Sequence, residues 1–261
     1  MKRYNAILAA VVGLLTIGSV RADIVLMGND TNAAASMYTE AGTFLGHLGA
    51  FSGSTGTAFD GLGHAYVAYG ASGSSAIREF DGSGNLLNTV TFNQGWAEDI
   101  TYIAGTLWVS EAFTGNQYHI DLAGNNLGNF GGTFAEGITT DGTFLYTSDG
   151  FGGSGVITQR DLAGTATGLT ISTGFGSNLS LGYDAANNTF WMGHYQGVGE
   201  FNFAGASVGG FSTVTDSPYY HDGVAVGNFN GSAVPEPSLL VLLLPGMAGL
   251  LFFARRKRVQ Q

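Results

Sequence analysis

The tetrapeptide Asp121-Leu122-Ala123-Gly124 recurs as Asp161-Leu162-Ala163-Gly164. Looser copies are Asp81-Gly82-Ser83-Gly84, Asn202-Phe203-Ala204-Gly205 and Thr39-Glu40-Ala41-Gly42. The closing glycines stand at 42, 84, 124, 164 and 205, so the steps are 42, 40, 40 and 41 residues. A fixed period near forty residues means that one small unit is repeated. Such a unit buries its apolar face only against its neighbours.

Each unit reads as four short strands. In the third, Ala135 to Asp141 leads into a turn at Gly142. Phe144 to Ser148 follows, then Gly155 to Arg160, then the Asp161–Gly164 turn and Thr165 to Ser172. Short runs rich in β-branched and aromatic residues, bounded by Gly and Asp, are strand signals. First strands recur at Thr57–Asp60, Glu98–Thr101, Glu136–Ile138, Leu179–Leu181 and Gly223–Val226. The ends are incomplete in a complementary way. Ile24–Met27 matches a second strand with no first strand before it, and Gly223–Val226 is a first strand with nothing after it. Pairing the two completes a fifth unit and closes a ring, which removes exposed sheet edges at the join. The chain therefore resembles a β-propeller. The segment Glu136-Gly137-Ile138-Thr139-Thr140-Asp141 with Phe144-Leu145-Tyr146 is similar to NHL and related six-bladed repeats, although five blades are counted here. The expected fold is all-β, about five four-stranded blades closed by the N- and C-terminal strands. A β-helix is the competing architecture, since glycine-rich repeats also build it.

Glycine supplies 43 of the 261 residues, more than twice the ordinary share of roughly 7%, in keeping with many tight turns. Cysteine is absent, which excludes disulfides, thiolate metal sites and a thiol nucleophile. Of nine Lys and Arg, only Arg78 and Arg160 lie between Arg21 and Arg255, whereas all nineteen acids do. So acidic a body repels phosphate backbones, and nucleic acid is not an expected partner.

Both ends carry addressing signals. Lys2 and Arg3 precede an apolar run from Ala6 to Ile17, and Val20-Arg21-Ala22 fits a small-x-small cleavage site. This reads as a secretory signal peptide over 1–22, cut after Ala22; a retained anchor is the alternative. At the other end stand Pro235-Glu236-Pro237, an apolar run over 238–254, and Arg255, Arg256, Lys257 and Arg258. Seventeen residues is near the lower limit for a single transmembrane helix, and the basic cluster would stay cytoplasmic. A plain C-terminal anchor would look similar. The order closely resembles the PEP-CTERM sorting signal. That resemblance implies processing by an exosortase-type membrane enzyme in an exopolysaccharide-producing Gram-negative bacterium, with the body at the cell surface or outside the cell. The domain boundaries expected are 1–22, 23–231 and 232–261.

Chemistry is harder to find. The five histidines lack zinc-ligand spacing, and no G-x-S-x-G elbow occurs. Residues opening the first strands would face one mouth of a central channel: Glu98 with Asp99, Glu136, Asn178, and His221 with Asp222. Several oxygens converging there suit Ca²⁺, which takes six to eight. Glu136, Asn178 and Asp222 resemble, by type and blade position, the channel-metal trio of propeller lactonases; Glu98 would be a further ligand. Trp96, Trp108 and Trp191 are expected in the packing between blades rather than stacked on sugars. The reading is a non-catalytic exported module, without cofactor. Its expected partners are the processing enzyme, the membrane and exopolysaccharide or other surface matrix. The alternative is a Ca²⁺-dependent lactonase-like hydrolase.

Overall fold

The computed structural model describes residues 23–29, 34–49, 51, 53–70, 73–131, 135–213 and 221–229. The chain divides into two compact units, 1–231 and 232–261, and every described residue belongs to the first. The expected signal peptide with Ala22, the Pro235-Glu236-Pro237 motif, the apolar run 238–254 and the basic cluster lie outside the described residues. Among the described residues no helix is long and apolar enough to cross a membrane.

The body is a five-bladed β-propeller of four-stranded antiparallel sheets. Three strands open the chain: β1 (Ile24–Gly28), β2 (Ala35–Thr39) and β3 (Phe44–Leu48). Blade 1 is β4 (Ser54–Phe59), β5 (Ala65–Tyr69), β6 (Ser75–Phe80) and β7 (Leu86–Phe92). Blade 2 is β8 (Ala97–Ile103), β9 (Thr106–Glu111), β10 (Gln117–Asp121) and β11 (Asn126–Phe130). Blade 3 is β12 (Ile138–Thr140), β13 (Leu145–Ser148), β14 (Val156–Arg160) and β15 (Ala166–Ser172). Blade 4 is β16 (Ser180–Asp184), β17 (Thr189–His194), β18 (Gly197–Phe201) and β19 (Ser207–Ser212). Last comes β20 (Gly223–Gly227), which pairs antiparallel with β1 from Ile24↔Gly227 to Gly28↔Gly223 and completes blade 5 as β20-β1-β2-β3. The ring closes as the repeat count expects.

The recurring tetrapeptide is the turn between the third and fourth strands, and its chemistry is the same in four blades. The Asp121 Oδ1 accepts from the amides of Ala123 and Asn125 at 2.9 and 2.8 Å. Asp81, Asp161 and Asn202 do the same in their blades. In blade 5 the Thr39 hydroxyl takes this place, accepting from Thr43 N at 3.1 Å. Gly124 follows at φ 85°, a conformation that a side chain disfavours. In every blade the register between the third and fourth strands slips by a bulge, at Met37/Tyr38, Glu79/Phe80, His119/Ile120, Thr158/Arg160 and Glu200/Phe201. Bulges bend and twist the outermost strand and so protect a bare edge from further pairing.

Five apolar clusters fill the five seams between blades. Tyr66, Ile77 and Phe92 meet Ile100, Val109 and Ile120 between blades 1 and 2. Trp108 meets Ile138 and Leu145 across the next seam. Tyr146 and Ile157 face Phe190 and Met192, and Trp191 faces Val25, Met27 and Tyr38. Leu26 and Leu48 pack with Val67 and Phe80 in the last seam. Trp108 and Trp191 thus serve the inter-blade core, as expected. Hydroxyls staple the same seams: Thr57 Oγ1 donates to Leu26 O at 3.0 Å, Ser110 Oγ to Ala135 O at 2.7 Å and Ser180 Oγ to His221 O at 2.9 Å.

Because β1 is fully buried between β20 and β2, a chain ended before Gly223 leaves a bare apolar edge. It should lose the cooperative unfolding transition and self-associate, as read by circular dichroism melting and light scattering. A monomer melting like the full chain would refute the closure.

Candidate functional site

The five first strands β4, β8, β12, β16 and β20 line the axis. Gly56 shows how close they approach: a Cβ there would lie 2.6 Å from the Asp99 Cα. Asp99 is fully buried, with no exposed surface. Its Oδ2 accepts from the amides of Ile138 and Leu181 at 3.0 and 2.9 Å, and its Oδ1 from its neighbour Ile100 at 2.9 Å. The Thr57 amide is a fourth donor. One carboxyl on blade 2 thereby ties the inner strands of blades 1, 3 and 4. Burial pushes this carboxyl well above the usual range, and the amide donors oppose the shift. The sequence groups Asp99 with Glu98 as a mouth residue. The structure corrects this: the β8–β9 register shifts between Ala97 and Asp99, a bulge of the kind that re-aims side chains, and Asp99 is a structural tie on the axis.

The other expected residues sit at equivalent points before or at the start of their first strands, at one end of the ring. Glu98 is 9% exposed, Glu136 7%, Asp222 4%, and Asn178 and His221 fully buried. Glu136 Oε2 accepts from Phe151 N at 2.6 Å, and burial raises its carboxyl. Asn178 Nδ2 donates to Asp149 Oδ1 at 3.2 Å and to Phe175 O at 3.4 Å. That fixes the amide orientation and leaves the buried Asn178 Oδ1 with no hydrogen-bond partner in the protein. The structure therefore joins Asn178 to Asp149, a residue the sequence did not single out. It does not gather Glu98, Glu136 and Asp222 into one set of three with ligand atoms within 4.8 Å.

Among the described residues one set of three acids does converge so closely: Asp23, Glu40 and Asp184. It lies at the other end of the ring, where β1 begins, β2 ends and β16 ends. Asp184 is fully buried and accepts from Ala186 N, Asn187 N and Asn187 Nδ2 at 2.8 to 3.2 Å. Burial and then the Asp184 charge raise both Asp23 and Glu40. Such a trio has the donor chemistry for a divalent cation. No local motif marks it, because its members are far apart in sequence. Aligning the repeats and asking which acids end up at one end of adjacent blades is the signal that finds it.

No family model matches the chain, and no curated protein matches it. Solved structures do. A chain of a nidogen/laminin complex superposes with a TM-score of 0.54 at 12% identity, covering 79% of this chain and 99% of that one. A protein of unknown function from Bacteroides caccae gives 0.55 at 15% identity, covering 78% and 83%. At these identities the likeness is one of fold alone.

His221 supplies a pH test. Burial drives its imidazole down to about 4, from an ordinary value near 6.5. A depressed histidine contributes stability that is complete above pH ~6.5 and is lost as pH falls toward 4, on the order of 3 kcal/mol in all. Urea unfolding between pH 7 and 4 should show that loss, and His221→Gln should flatten the slope. An equal slope in the variant would show that other groups set the acid limit.

Proposed function

We propose that this chain is an exported, non-catalytic propeller that is delivered to the cell surface or surrounding matrix and acts there as a binding module. The observation that carries this reading is the coincidence of fold boundaries with processing signals. The strand β1 starts at Ile24, two residues after the expected cleavage position at Ala22, and the ring-closing strand β20 ends at Gly227, ahead of Pro235-Glu236-Pro237 in the sequence. Cuts at both signals would leave every strand of the ring intact. The PEP-CTERM-like order of Pro-Glu-Pro, apolar run and Arg255–Arg258 supports sorting by an exosortase-type enzyme. In that reading the apolar run stays in the membrane until the cut. Mass spectrometry of the native extracellular fraction should find an N-terminus at Asp23 and a C-terminus near residues 234–237. An intact Arg258 in the membrane fraction would defeat the release step.

One observation favours a second reading, Ca²⁺ held at the channel mouth in a lactonase-like hydrolase. The Asn178 Oδ1 is a buried acceptor without a donor, in the residue trio that resemblance assigns to a metal, with Glu136 and Asp222. If Ca²⁺ binds there, a concentration one hundred times Kd should stabilise the fold by about 2.7 kcal/mol, and Asn178→Ala should abolish the effect. Stabilisation that instead disappears in Glu40→Gln would assign the ion to the acidic trio. An unchanged melting temperature with Ca²⁺ or chelator rejects both.

A further inference from the structure

The end of the ring that carries the acidic trio also carries an open cleft of about 690 Å³ on blade 4. Its walls are the β16–β17 turn, with Asn187, Asn188 and Thr189, and the β18–β19 turn, with Asn202 and Phe203; Glu200 lies between them. The fold's own hydrogen bonds dictate what these side chains offer. Asn188 Oδ1 accepts from the Tyr183 hydroxyl at 2.8 Å, which leaves its Nδ2 as the donor available to a ligand. Asn202 Oδ1 is taken by the amides of Ala204 and Ala206, so its Nδ2 is also left to a ligand. Asn187 Nδ2 donates to Asp184 Oδ2 at 2.8 Å, leaving its Oδ1 as an acceptor. Thr189 Oγ1 donates to Glu200 Oε1 at 2.7 Å, leaving Oε2. Two donors and two acceptors thus surround a space of ordinary small-ligand size, with the Phe203 ring in its wall. That is the pattern which vicinal hydroxyls on a pyranose ring satisfy.

The charge narrows the class. Glu200 is the ionisable group in the lining, and its charge reaches Glu40, which also feels Asp23 and Asp184. The body's two arginines are engaged elsewhere: Arg78 lies over the Phe51 and Tyr69 rings, and Arg160 bonds Thr147 Oγ1 and Gly164 O. Cleavage after Ala22 would add a single α-ammonium at Asp23, one positive charge against four carboxylates. A uronate, sulfate or phosphate group is repelled, and a protonated amine is drawn in.

We infer that this cleft is a binding site for an amine-bearing saccharide, a glucosamine-type unit of a polysaccharide. The inference rests on the binding-module reading above and names the chemistry of its ligand.

The test is isothermal titration of the full-length chain in a mild non-ionic detergent at pH 6. The probes are a β-1,4-linked glucosamine tetramer, its fully N-acetylated counterpart and a glucuronate oligomer. The amine tetramer should bind about tenfold more tightly than the acetylated one, and the glucuronate oligomer should not bind. Glu200→Gln should weaken binding about tenfold with unchanged melting temperature, and Asn188→Gly, which removes the amide but keeps the left-handed backbone at φ 56°, should weaken it similarly. Asp81→Asn combined with Asp121→Asn, on blades 1 and 2, neither of which adjoins blade 4, should leave it unchanged. Equal affinity for the amine and acetylated tetramers overturns the inference. So does an equal loss in the remote pair, which would mean general attraction to an acidic protein. The terminal mass measurement is independent: correct processing without saccharide binding sinks this inference alone, and binding by a chain whose tail is never cut sinks the delivery reading alone.

Discussion

A single buried carboxyl holds the centre of this ring. Five inner strands converge on an axis too narrow for side chains at every position, and amides on their axial side have no further strand to pair with. Buried amides left without acceptors cost about 1 to 3 kcal/mol each. Asp99 answers four of them at once, from Thr57, Ile100, Ile138 and Leu181. The penalty for burying the carboxyl is set against four hydrogen bonds that no neutral apolar residue could make. Close packing by Gly56 makes the arrangement possible, since a Cβ there would strike the Asp99 backbone. A cavity of about 80 Å³ lies among the inner strands, lined by Thr57, Thr101 and Thr139 and by residues of the other two blades. The axis of this propeller is thus mainly a structural element, and the surfaces with open polar groups lie elsewhere.

The outer strands of the blades were readable in the sequence for a definite reason. A third-to-fourth-strand turn closed by a side-chain oxygen and a glycine at positive φ admits few residue types, so Asp121-Leu122-Ala123-Gly124 and its copies leave a periodic mark. The missing first strand before Ile24 and the orphan strand at Gly223 were equally legible, because strand alternation shows itself locally. The ring follows from counting. What could not be read was any arrangement that depends on residues distant in sequence. Asp99 reaches amides 39 and 82 positions away, and in sequence it looks like one more acid beside Glu98. The Asp23, Glu40 and Asp184 trio joins three strand ends that share no motif. Asn178 was singled out by blade position, but its partner Asp149 is a residue of a different turn, and the orphaned Oδ1 is visible only once that bond is placed.

The two ends of the ring divide the polar chemistry between them. At the mouth, Glu136, Asn178, His221 and Asp222 are buried and largely engaged, so this end is preorganised and costly to hydrate. At the other end the acids and amides stand at turns, partly in water, where charge can act over a distance on an incoming ligand. Under the proposed binding role, the scarcity of Lys and Arg between Arg21 and Arg255 would favour cationic over anionic ligands at that end.

The pairing of Ile24 with Gly227 has a mechanical consequence. The first and last strands of the ring run antiparallel, with the start of one beside the finish of the other. A load applied between these two points pulls across the ladder rather than along it. The hydrogen-bonded pairs would then separate in succession, beginning at Ile24 and Gly227, instead of resisting together. A propeller loaded between these two ends thus has a built-in order of failure: blade 5 opens first, before the four blades made from continuous chain.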